Sequence, residues 1–341
     1  MFIVNSYTLA VIFCFITMLC WGSWGNTQKL AAKSWRYELF YWDYVIGMVL
    51  FALLLAFTLG SIGSQGRPFI ADLSQASTSS FLWILIGGII FNASNILLSA
   101  STSIAGLSVA FPLGVGLALV LGVVNNYRVA LSQGGNTGNV ILLALGVILV
   151  VCAIVCNGVA SGKKAQSGEI SKKDQKKGII LALLAGVLMS FFSSFVMRAM
   201  DLTDFVNPAA GKVTPYTAIV IFTIGVLLSN FIFNTIVMKK PFVGEPVAYK
   251  DYFAGKWKTH LVGMLGGAIW CLGTALSYIT AEKAGAAVSY ALGQGAPMVA
   301  AIWGVFVWKE FKGSDRKVYA MLGVMFCLFI LGLGCIVAAG A

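Results

Sequence analysis

Charged side chains are scarce here. Asp, Glu, Lys and Arg together make up 10% of 341 residues, where a soluble domain carries about 25%. The chain holds twelve acids and one histidine. Enzyme chemistry needs a nucleophile with its base, a buried acid pair or a histidine cluster, and His260 with a single acid in an apolar run supplies none of these. The seven cysteines all sit in apolar stretches. None has a pairing or metal-ligand spacing, and Cys152 and Cys156 merely share a helix face. Met1–Asn5 lacks a basic region, so the first apolar run does not read as a cleaved leader. The stretch GVASGKK (158–164) has glycines one residue too close for a phosphate loop, with Lys164 where the hydroxyl should stand, so no nucleotide site is expected. No cofactor is implied.

What is present is apolar. Hydrophobic residues make up 59% of the chain and the mean hydropathy is +0.90. About 20 apolar residues cross a membrane, and ten such runs can be marked: 7–29, 39–62, 81–102, 106–125, 139–158, 178–198, 215–238, 260–281, 285–308 and 317–338. Two hairpins are minimal, at 103–105 and 282–284. The net charge of +11 implies membrane orientation, not nucleic-acid binding. Of the 23 Lys and Arg, only Arg67, Arg128, Arg198, Lys212 and Lys283 fall in even-numbered loops. The other eighteen, among them Lys29, Lys33 and Arg36, make the odd loops cytoplasmic and place both termini outside an inner (plasma) membrane.

The chain also repeats itself. Residues 104–116 read IAGLSVAFPLGVG and residues 283–295 read KAGAAVSYALGQG. At an offset of 179, Ala105, Gly106, Val109, Leu113, Gly114 and Gly116 recur as Ala284, Gly285, Val288, Leu292, Gly293 and Gly295. Gly87-Gly88 recurs as Gly266-Gly267. Five spans per half, an odd number, invert the second half relative to the first, as in transporters that alternate access. The expected fold is an all-α polytopic membrane protein of ten transmembrane helices arranged as two inverted five-helix repeats. These are 1–158 and 178–341, joined by a Lys-rich cytoplasmic linker at 159–177.

Polar groups inside a membrane face a cavity or a partner. By depth, the candidates for one substrate site are Trp21, Ser23, Trp24, Asn92, Asn95, Ser190, Ser194, Trp270, Thr274, Tyr290 and Gln294. Phe111, Pro112, Phe191, Phe192 and Pro297 lie nearby. Serines can instead bond their own helix, and asparagines can tie helices together. The set is uncharged and aromatic, which suits a neutral hydrogen-bonding solute and not an anion. Asp43 is the one acid within an apolar run and is the candidate proton-coupling residue. Pairing with Lys29, Lys33 or Arg36 is the alternative. His260 and Glu310 read as interfacial, and Arg198 with Asp201 reads as a local pair.

These motifs resemble the drug/metabolite transporter superfamily, most closely the ureide permease and bacterial glucose/ribose porter group. The resembling stretches are Asp43-Tyr44, FTLGSIG (57–63), AGLSV (105–109) with the glycines after it, GKWK (255–258), GGAIW (266–270) and WGVFVWKEFKGS (303–314). Rhamnose–proton symporters are similar at a greater distance. The resemblance implies secondary import of a small sugar, ureide or nucleobase, with protons and membrane lipid as the other partners. A multidrug or metabolite exporter is the competing reading. A channel would want a ring of identical pore groups, which is absent. Plant ureide permeases carry a long central loop, and this chain has only the short linker.

Overall fold

The computed structural model describes residues 1–31, 35–105, 107–165, 172–242 and 244–341, with side chains except at 102, 103, 105, 107–112, 164, 165 and 172–175. Lys33, Gly106 and residues 166–171 of the linker therefore lie outside the described residues, as do the side chains of Phe111, Pro112, Lys164, Lys172 and Lys173. Among the described residues ten helices are long and apolar enough to cross a membrane, and there is no strand. They are, in order, Tyr7–Ala31, Tyr37–Phe57, Thr78–Ser101, Leu113–Gln133, Val140–Lys163, Lys176–Ala199, Pro215–Lys239, Trp257–Ile279, Ala286–Val307 and Arg316–Gly340, called spans 1 to 10 below.

Local chemistry starts several of them. The Ser6 hydroxyl accepts the Leu9 N–H at 3.3 Å ahead of span 1, meeting one of the donors that a helix start leaves unpaired. Span 7 follows extended Thr214 with Pro215 in its first turn, where a missing N–H costs nothing. Span 2 is shorter than its apolar run. It ends at Phe57, and the chain turns through Gly63 and Gly66, both at positive φ, before a short helix Phe69–Gln75. Glycine carries that turn because it has no Cβ to clash. Span 4 is longer than expected, running on to Gln133.

Packing obeys the half-chain offset. Span 3 packs on span 6 as span 8 packs on span 1, and span 4 on span 6 as span 9 on span 1. Span 2 meets span 8 as span 7 meets span 3, while spans 5 and 10 pair with each other. The seam between spans 2 and 8 is backbone on backbone. A Cβ on Gly267 would overlap the Tyr44 carbonyl, and one on Gly47 would overlap the Met264 backbone. The GMLGG stretch (263–267) thus serves packing inside this chain, as small residues do between membrane helices. Large apolar side chains such as Leu54, Ile148, Ile232 and Ile330 are exposed, as lipid-facing positions require.

Candidate functional site

Two spans lose helical regularity at one place. Span 1 is two helices, Tyr7–Ser23 and Gly25–Ala31, with Trp24 between them. Span 9 breaks at Gln294-Gly295 between Ala296–Ile302 and Ala286–Gly293, then ends in a π-helical turn, Trp303–Val307. Pro297 offers no N–H to the turn before it, which favours the break. Between these interruptions lies a cavity of about 190 Å³. Its aromatic wall is Trp21, Trp24, Phe91, Phe192 and Trp270, and its side-chain amides are Asn95 and Gln294. Gly22, Gly25, Leu98, Val115, Met189, Ala296, Pro297 and Ala300 complete it, so among the described residues no charged side chain lines it.

The rings brace one another. Phe91 and Trp270 have centroids 4.4 Å apart, and Trp21 stacks on Trp270 at 6.3 Å and 15°. Trp24 rests on Tyr44 at 4.9 Å. Thr274 accepts the Trp21 indole N–H at 3.1 Å, which fixes the ring. Asn95 donates to the Tyr41 hydroxyl at 3.1 Å, and the Gln294 amide reaches the Tyr290 hydroxyl. Three wall positions recur at the offset of 179: Phe91 with Trp270, Val115 with Gln294, and Asn95 with Thr274, the residue behind Trp21.

Five of the eleven candidate residues are therefore on the wall: Trp21, Trp24, Asn95, Trp270 and Gln294. The others are close but employed elsewhere. Asn92 is fully buried, accepting from Tyr41 at 2.9 Å and donating to Ser229 at 2.9 Å, so it ties spans 2, 3 and 7 together. Ser190 and Ser194 bond back to the Val187 and Phe191 carbonyls. Ser23 accepts the Trp303 indole. Tyr290 fills the space over Gly122 and donates to the Ala118 carbonyl at 3.2 Å. Phe91, Leu98, Val115, Met189 and Ala300 on the wall have no polar signal in the sequence. Phe91 and Val115 could have been found from the repeat, as the counterparts of Trp270 and Gln294. Phe191 faces outward.

Below this cavity a second one, of about 220 Å³, shares Gly22, Gly25, Pro297 and Ala300 with it and reaches Lys29, Trp308 and Glu310. Here spans 1 and 9 are zipped together. Trp303 donates to Ser23 at 2.9 Å, Trp308 donates to Asn26 at 2.6 Å, and Lys29 pairs with Glu310. The path ends at the face that carries the lysine-rich odd loops.

Four charge assignments change. Asp43 is fully buried and pairs with His260, whose Nδ1 lies 2.8 Å and 3.0 Å from its two oxygens. Lys29 is instead taken by Glu310, and Arg36 by Glu38. His260 is consequently no mere interfacial group. Arg198 lies over the Trp83 ring, and Asp201 accepts from Thr203 and the Ala209 N–H, so the expected Arg198–Asp201 pair is replaced. Glu38 and Asp72 are buried too: Asp72, in the short helix after span 2, accepts the Thr214 N–H at 2.8 Å and lies 3.5 Å from Arg67. Burial pushes the Asp72 carboxyl above the usual range, against the opposing pull of Thr217, Thr214 and Arg67.

The model of the family described as "Ureide permease" matches residues 40–177 and 163–339. The chain belongs to the ureide permease family. It is 23% identical to Ureide permease 1 and 24% identical to Ureide permease 2 of Arabidopsis thaliana, each over 99% of both chains. It is also 28% identical to a putative sugar uptake protein of Lactobacillus johnsonii, over 32% of this chain and 34% of that one. A solved structure described only as "Crystal structure of protein" superposes with a TM-score of 0.59 at 15% identity over 96% of each chain, a likeness of fold alone. As a member of this family the protein is a multi-pass membrane transporter, not an enzyme.

Proposed function

We propose that the protein is a secondary transporter that imports a small neutral polar solute of the sugar, ureide or nucleobase type. Import is coupled to protons, with Asp43 as the coupling residue, and proceeds by alternating access between two inverted five-helix repeats. The observation that carries this reading is the cavity between the interrupted spans 1 and 9. Its stacked tryptophans bury a ring or sugar face, while Asn95 and Gln294 offer donors and acceptors without net charge. Binding sites at half-helix ends between two repeats are the usual build of such carriers. The names of the relatives, ureide permeases and a sugar uptake protein, lie within the same solute class. The packing equivalence between the two halves supports the inverted repeat, and the eighteen basic residues of the odd loops support both termini lying outside.

The test is uptake by proteoliposomes of allantoin, uracil and D-glucose under an inward-directed proton gradient. At least one should accumulate, and a protonophore should abolish the accumulation. Outward movement of lipophilic cations with no uptake of these probes would favour the exporter. Orientation is read from a cysteine placed at Gly168, in a background lacking Cys152 and Cys327. It should resist an impermeant thiol reagent in intact cells, and efficient labelling would reverse the topology.

A further inference from the structure

Asp43 sits in the seam of spans 2 and 8, where Gly263 has no Cβ to displace its side chain. Two groups hydrogen-bond to it and a third braces them. His260 Nδ1 bridges both carboxylate oxygens, and the Tyr252 hydroxyl donates to Oδ1 at 2.6 Å. Trp35 stands edge-on to the imidazole at 5.1 Å and packs on Tyr252 at 6.1 Å. Tyr252 lies in the helix Tyr249–Phe253, ahead of span 8. Burial, and then the nearby carboxylate, hold its phenol protonated, so it acts as a fixed donor. Of the other charges nearby, Glu38 on span 2 and Arg36 are paired with each other at 2.7 Å, and Arg36 also donates to the Glu245 carbonyl. Lys256 and Lys258 flank the start of span 8.

Exposure separates the two members of the pair. The Asp43 side chain is 0% exposed and that of His260 is 19% exposed. The Nε2 edge of the ring lies over Gly255, where a Cβ would stand 2.7 Å from it. The cluster opens on the same lysine-rich face as the path from the cavity. It is also next to the solute site, because Tyr44, the neighbour of Asp43, touches Trp24 at 4.9 Å and Trp270 at 6.5 Å.

We propose that Asp43 and His260 form a single proton-binding unit of the transport cycle, with His260 as the member that exchanges the proton with the lysine-rich face. The proposal rests on the coupled-import reading above. The unit gains its proton at Nε2, passing from carboxylate plus neutral ring to carboxylate plus imidazolium. It returns the same proton from Nε2 to water. The Nδ1–H bond to the carboxylate persists throughout, and Tyr252 keeps the carboxylate aimed at the ring. Charge in the seam is thereby neutralised and restored beside the two cavity tryptophans, which gives proton and solute a shared element to bias.

The test uses the full chain in proteoliposomes, with allantoin, uracil and D-glucose as probes. Gradient-driven accumulation is compared with solute counterflow, which needs no net proton movement. His260→Gln and Asp43→Asn should each lower accumulation more than tenfold while leaving counterflow within about threefold. The double variant should be no worse than either single one, as members of one unit behave. Retained accumulation in His260→Gln, with loss in Asp43→Asn, would overturn the role of His260 while leaving coupled import intact. A wild-type chain that moves a probe but ignores the gradient would overturn coupled import, and this proposal with it. A measurement free of any solute is the 15N spectrum of the one histidine. Its neutral ring should carry the proton on Nδ1, and a proton found on Nε2 would contradict the unit directly.

Discussion

Spans 1 and 9 are interrupted, whereas spans 6 and 4, which hold the equivalent places half a chain away, run unbroken through Lys172–Ala199 and Leu107–Gln133. The interrupted pair borders the cavity and the path to the lysine-rich face. The unbroken pair lends the same cavity Met189, Phe192 and Val115 and carries no comparable break. Two pairs of spans related by the half-chain offset thus border the cavity differently. The wall pairs differ in the same sense, with Gln294 opposite Val115 and Thr274 opposite Asn95. The two side-chain amides of the wall, Asn95 and Gln294, thus come one from each half of the chain but at unlike positions.

The largest expected effect comes from crowding the interrupted pair. A Cβ on Gly22 would lie 2.5 Å from Val299 Cβ and 2.6 Å from the Ala296 carbonyl, whereas one on Gly116 in span 4 meets nothing within 4 Å. Overpacking of this kind costs about 1–3 kcal/mol. Gly22→Ala should lower uptake at least tenfold, and Gly116→Ala should stay within about twofold, at equal amounts of folded protein. Equal losses would erase the distinction between the two pairs.

A smaller effect separates the wall from the network behind it. Gln294→Leu keeps volume but leaves a solute hydrogen bond unmade, at about 1–3 kcal/mol, so apparent affinity should fall about 5- to 150-fold, while thermal stability loses only the bond to Tyr290. Asn92→Ala should do the reverse. It removes bonds between spans worth about 0.6–1.7 kcal/mol, lowering the melting temperature while affinity changes less. Affinity loss confined to Asn92→Ala would move the site away from the cavity.

The smallest effect concerns the loop after span 6. Partial burial pushes the Asp201 carboxyl up, but the Thr203 hydroxyl and the N–H groups of Ala209, Thr203 and Asp204 outweigh it and hold the carboxyl below the usual carboxylate value. A depressed folded-state value means the stability is present above the ordinary value of 3.8 and is lost as pH falls through the folded one. Amide exchange at Thr203 and Ala209 should quicken, relative to neighbouring amides, only below about pH 4. Acceleration beginning near neutrality would point to another group.

The ten spans were legible from apolar run length alone, because a backbone in lipid must close its own hydrogen bonds and a helix of about 20 residues does so. The half-chain repeat was legible from identical glycines, some of which, such as Gly88 and Gly267, sit where a Cβ would overlap a neighbouring backbone. What local sequence leaves open is where each polar side chain spends its hydrogen bonds. Depth along a span is a one-dimensional quantity, and it placed Asn92 and Asn95 together, one turn apart. Only the packing of spans 2, 3 and 7 assigned Asn92 to the helix contacts and left Asn95 on the wall. The same holds for charge. Asp43 and His260 are 217 residues apart, and Asp72 lies in a helix too short to announce itself. Asp43 was joined to His260, and Asp72 to the Thr214 N–H, only by the folded seams, because a hydrogen bond depends on distance through space and the chain records only distance along itself.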